Sequence, residues 1–151
     1  MKRFCLILIL FGLLSQASYA KDLEVQIKPI SKITTSNVSL KEGDNVDFFV
    51  ANDVYLNSKL YLKSGEKVEG TITSLKNNSF SCEDASLYIE NFVANDIDGK
   101  RTKLKGIIYK KGNNHWMITQ FIPIFYVFIR GGEVQIEPSK DTFTLYLGDR
   151  L

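Results

Sequence analysis

The chain has 151 residues, 44% of them hydrophobic, 12% aromatic and 24% charged, which is enough apolar material for one domain with a packed core and too much for a disordered tail. Nineteen Lys and Arg stand against seventeen Asp and Glu, and two of the basic residues, Lys2 and Arg3, lie in a leader whose removal leaves seventeen of each sign. A chain near neutrality lacks the positive surplus of a nucleic-acid-binding protein, and its length excludes a multidomain enzyme.

Residues 1–20 carry the three parts of an export signal: the basic start, an apolar stretch over residues 4–14, and Ser18-Tyr19-Ala20 with small residues where a signal peptidase reads. Cleavage is expected after Ala20, leaving residues 21–151 as a single β domain, periplasmic or secreted. The apolar stretch falls short of the roughly 20 residues that a spanning helix needs. Lys21 stands where a lipoprotein leader has its cysteine. Cys5 departs with the leader, so Cys82 has no partner for an internal disulfide, and stability is expected from apolar burial alone. Cys82 itself reads as a small residue on a half-buried strand.

From Lys21 onward nearly every stretch alternates with period two and uses residues suited to a pleated sheet. Residues 23–27 place Leu23, Val25 and Ile27 on one face until Pro29 interrupts, and residues 45–50 place Val46, Phe48 and Val50 inward. A short strand over 60–62 leads to the turn Lys63-Ser64-Gly65, and a longer one over 68–75 contains Gly70, expected to mark a bulge or a close backbone approach. Lys76-Asn77-Asn78-Ser79 makes the next turn and residues 86–93 the next strand. Asp98-Gly99 signals a tight hairpin with its return strand over 102–109. Lys110-Lys111-Gly112-Asn113-Asn114 reads as a polar turn, and strands over 124–129, 134–136 and 142–147 close the chain, with a Gly131-Gly132 turn between the first two. About nine to eleven strands at this spacing predict an all-β, antiparallel β-sandwich or β-barrel with little or no helix. Phe-Val-Ala-Asn-Asp occurs twice, at 49–53 and 92–96, but the flanks do not continue the match, so it is expected to be coincidence rather than duplication.

No constellation of residues announces a chemistry. His115, the single histidine, has neither a second histidine nor a nucleophile motif beside it and reads as a polar loop residue. Asp96-Ile97-Asp98-Gly99 resembles part of a calcium loop, but Ala94 and Lys105 occupy the two end positions of the cage, so a hairpin turn is expected instead. Glu42, Asp44 and Asp47 read as solvated charge. The expectation is therefore no catalytic residue, no metal and no cofactor.

Two stretches are candidate contact surfaces. Lys100, Arg101, Lys103, Lys105, Lys110 and Lys111 are followed by no nearby acid, and on a strand Arg101, Lys103 and Lys105 share one face, a basic stripe able to meet an acidic partner. No aromatics interleave with it as they do in single-strand binders. Lysines that blunt an exposed edge strand are the expected explanation for it. Residues 121–129 carry no charge; Phe121, Ile122, Phe125, Tyr126 and Phe128 make either a strand buried on both sides or a surface for a partner or a membrane.

The order Lys41-Glu42-Gly43-Asp44-Asn45-Val46-Asp47-Phe48, Asp53-Val54, Lys63-Ser64-Gly65-Glu66-Lys67-Val68-Glu69-Gly70, Ile97-Asp98-Gly99-Lys100 and Ile129-Arg130-Gly131-Gly132 resembles a group of uncharacterised bacterial secreted all-β domains. It is also similar to the C-terminal β-barrel of the outer-membrane channel subunit of type IV secretion systems. Leu62 stands where that subunit has a proline, and its membrane-crossing helix has no counterpart here, so the resemblance implies a shared β-scaffold and not a pore. Together these readings point to a non-catalytic scaffold or adaptor in a cell-envelope assembly. Its expected partners are another protein or a second copy of itself, with peripheral outer-membrane contact and no nucleic acid. The competing class is a small hydrophobic-ligand binder, its barrel hollow and lined by Phe48, Tyr88, Phe92, Trp116 and Phe125.

Overall fold

Alternating apolar and polar residues build the wall of a closed barrel, because each strand must turn one face to the interior and the other to water. The structure, a computed structural model, describes residues 23–37, 39–80, 83–113 and 130–150. Its strands in chain order are β1 (Glu24–Pro29), β2 (Ile33–Thr34), β3 (Asn45–Val50), β4 (Val54–Leu56), β5 (Lys59–Leu62), β6 (Lys67–Lys76), β7 (Ser86–Asn95), β8 (Arg101–Lys105), β9 (Ile108–Lys111), β10 (Gln135–Ile136) and β11 (Phe143–Arg150). Six of them, in the order β1, β3, β6, β7, β8 and β11, pair antiparallel, each with the next along the chain, and β11 returns to β1 to close the ring. The choice between sandwich and barrel thus falls to an up-and-down barrel, an arrangement that leaves its ring strands without free edges.

The interior is filled by side chains. Val25 and Ile27 of β1, Phe48 and Val50 of β3, Val68 and Ile72 of β6, Leu87, Ile89 and Phe92 of β7, and Leu145 of β11 are wholly buried. Phe48 stands edge-on to Phe92, with ring centroids 5.8 Å apart, and edge-on to Phe143 at 6.3 Å, so three strands meet in one aromatic cluster. Gly70 makes room for it: a Cβ there would lie 2.5 Å from Phe92 Cε1. The close approach expected at this glycine is real, and the β6–β7 register also shifts between Glu69 and Thr71, which is the bulge. One polar pair is buried in the same wall, where the Tyr61 and Thr102 hydroxyls hydrogen-bond at 2.9 Å.

β7 is the strand on which simple alternation fails. Asn91 takes a left-handed backbone with φ 55°, and this extra residue re-phases the strand, so that Leu87 and Ile89 face inward before it and Phe92 and Ala94 after it. Tyr88, which a hollow barrel would turn inward with Phe92, is consequently on the outer face. The same re-phasing separates the two Phe-Val-Ala-Asn-Asp copies: Val50 is buried and Phe49 half-buried in the first, whereas Phe92 is buried and Val93 half-buried in the second. They use opposite faces, as two unrelated strand ends would.

The return strand expected over 102–109 is split into β8 and β9. β8 pairs with the second half of β7, from Phe92 to Asn95, and β9 with the first half, from Ser86 to Ile89. The hairpin signalled by Asp98-Gly99 does precede β8, joining it antiparallel to β7. Ile97, Asp98 and Gly99 form a three-residue loop between Asp96 and Lys100, whose backbones are joined by a 2.8 Å hydrogen bond, and only Gly99 has positive φ, at 76°. Asp96 Oδ1 accepts from the amides of Asp98 and Lys100, so this carboxylate braces the turn.

The remaining elements decorate the ring. β4 and β5 form a hairpin inserted between β3 and β6, and β2 pairs with β10. Ile33, Val134 and Ile136, from this small sheet and its approach, join the core. The backbones of Gly131 and Gly132 pack against Ser79 and residues 83–85, with Gly131 N donating to Ser79 O and Ala85 N to Gly132 O; the strand expected over 124–129 before them lies outside the described residues.

Candidate functional site

Among the described residues, the depressions and exposed aromatic side chains lie on the outer wall. Arg101, Lys103 and Lys105 are all exposed on one face of β8, alternating with buried Thr102 and Leu104, as the two-residue period requires. The reason expected for them does not hold. β8 is no edge strand: it is hydrogen-bonded to β7 on one side and to β11 on the other. Lysines there cannot be blunting a free edge, so edge protection does not account for the row. Among the described residues neither Arg101 nor Lys103 has an ion-pair partner.

Neighbouring side chains give the row a trough. Across the sheet Glu69 of β6 is opposite Val93 of β7, and Val93 is opposite Lys103 of β8, so a short apolar residue lies between two long charged ones. On either side of Val93 are two open depressions. One, of about 360 Å³, is lined by Glu90, Asn91, Val93, Lys103, Lys105 and Gly106 among others. The second, of about 310 Å³, is lined by Lys67, Glu69, Val93, Ala94, Asn95 and Arg101. The far wall is acidic on balance. Lys67 Nζ lies 3.1 Å from both Glu69 Oε1 and Asp47 Oδ2, one cation between two carboxylates. The hydrogen bonds to Glu69 and then Asp47 hold the Lys67 ammonium above the usual lysine range.

A second outer feature lies on β7 and β9, on the same side as the re-phased Tyr88. Tyr88 is opposite Tyr109, with ring centroids 4.5 Å apart, and Tyr109 is 49% and Ile107 63% exposed. A hollow barrel would place Tyr88 inside with Phe92, four residues on, because nothing in the string marks Asn91 as a bulge. Beneath it, Lys110 is anchored. Its Nζ donates to Asp141 Oδ1 at 2.7 Å and lies over the Phe143 ring at 5.7 Å. Burial pushes the Asp141 carboxyl up, but the hydrogen bonds from Lys110 and from the Glu137 amide, with the nearby lysine charges, hold it below the usual carboxylate range.

The other acidic residues have local duties. Glu42 Oε1 accepts from Leu75 N and Asp44 Oδ2 from Lys41 N, each tying one segment of backbone. Phe121, Ile122, Phe125, Tyr126 and Phe128 lie outside the described residues, as do Cys82, His115 and Trp116. The six-stranded ring closes among the described residues. No family model matches the chain, and no curated protein matches it.

Proposed function

We propose that this chain is an exported, non-catalytic scaffold or adaptor of a bacterial envelope assembly, which holds a protein partner against the outer wall of its barrel. The observation that carries the reading is the filled interior. The Phe48, Phe92 and Phe143 cluster and the aliphatic residues around it occupy the space in which a hollow barrel would hold a ligand. A packed interior supports recognition on the outside, where β8 presents cations that edge protection does not explain. The likeness of the turn motifs to those of secretion-channel barrels, and the leader, are consistent with a place in the periplasm.

The test uses a photo-crosslinking amino acid placed at Val93, Tyr109 or Tyr55 of the full chain in the cells that make it, alongside native mass spectrometry of the purified protein. Discrete adducts at one outer position, with a purified mass equal to that of the chain alone, are expected. A small molecule retained in the native spectrum, with no adduct at any outer position, would replace this reading with that of a ligand-binding barrel.

A further inference from the structure

We infer that the trough beside β8 is a docking surface for an acidic, extended segment of a partner protein, whose carboxylates recur at every second residue. The inference rests on the adaptor reading and names the chemistry of its partner. Arg101 and Lys103 are two residues apart on one strand face, which separates their Cα atoms by roughly 6.6–6.8 Å, the same repeat that an extended peptide gives to its own alternate side chains. Two carboxylates in that spacing therefore meet both cations without bending either chain. Val93 leaves a floor on which an apolar side chain can rest, and Asn91 and Asn95, exposed beside it, supply amide groups for a peptide backbone.

Charge selects among polyanions. The wall opposite the cations holds Glu69 and Asp47, with Lys67 between them, and Glu90 lines the trough beside Lys105. A nucleic-acid strand carries a phosphate at every step and would bring negative charge against both walls. A peptide with acids on one side and neutral residues on the other meets only the cationic wall. Because Arg101 and Lys103 have no ion-pair partner among the described residues, their contribution to docking is not offset by breaking one there.

The experiment titrates the isotope-labelled full-length mature chain with a short synthetic peptide alternating glutamate and valine, followed by amide chemical shifts. Expected are shifts concentrated at Val93, Asn95 and residues 101–105, an affinity that falls with added salt, and a loss of about tenfold or more in Arg101→Glu/Lys103→Glu. A control reversal of equal charge, Lys41→Glu/Lys63→Glu, on exposed residues away from the trough, should leave the affinity unchanged. Thermal unfolding of both variants verifies that they fold. The inference is overturned if the peptide shifts no trough residue, if the two reversals weaken binding equally, or if an oligothymidine binds the trough more tightly than the peptide. Adducts from the outer wall together with a silent trough would sink this inference and leave the adaptor standing; a small molecule in the barrel with no outer adducts would sink both.

Discussion

Replacing Gly70 by alanine tests whether the barrel interior is as full as the geometry states. An alanine Cβ would lie 2.5 and 2.8 Å from Phe92 Cε1 and Cδ1 and 2.9 Å from Ile89 Cγ2. Ordinary carbon contacts lie near 3.5–4.0 Å, so the methyl overlaps two side chains by roughly 1 Å. Neither neighbour has free space: Phe92 and Ile89 are wholly buried, and Phe92 is held by Phe48 at 5.8 Å. Overpacking of this kind costs about 1–3 kcal/mol. Gly70 does not need positive φ, so the substitution also gains about 0.4–1 kcal/mol by restricting the unfolded chain. The steric term wins, and a net loss of about 1–2 kcal/mol is expected.

Phe92→Leu should by itself cost a similar amount through the cavity it leaves. The two changes together should cost less than their sum by about 1 kcal/mol, since the alanine methyl enters space that the ring has vacated. Urea unfolding followed by far-ultraviolet circular dichroism gives all four stabilities, provided the slopes agree. A Gly70→Ala midpoint at or above that of the parent chain, or strict additivity within about 0.3–0.5 kcal/mol, would refute the packing argument.

Two further outcomes follow from particular residues. Asp141 has a folded pKa below its unfolded value near about 4, so its contribution to stability is fully present above that value and is lost as pH falls through the folded pKa. Asp141→Asn should therefore be less stable than the parent chain at neutral pH and lose less stability on acidification, as urea midpoints at stepped pH will show; parallel pH profiles would refute it. Asn91 at φ 55° should accept glycine with little change, whereas Asn91→Val should cost about 1–2 kcal/mol because a β-branched side chain crowds the left-handed backbone. Equal midpoints for the two variants would show that β7 is not re-phased there.

The period-two pattern determined the all-β class and the inward faces of β1 and β3, because alternation is a local property of residues such as Val46, Phe48 and Val50. It also put Arg101, Lys103 and Lys105 on one exposed face. Closure into a ring was not legible, since pairing β11 with β1 joins segments more than a hundred residues apart and no local signal names that partner. The meaning of the basic row turned on the same fact: the sequence could only suppose an edge, and the pairing of β8 on both sides removed it. Likewise one left-handed residue, Asn91, moved Tyr88 from the core to the surface, because the whole remainder of a strand changes face when a single residue is inserted into its ladder.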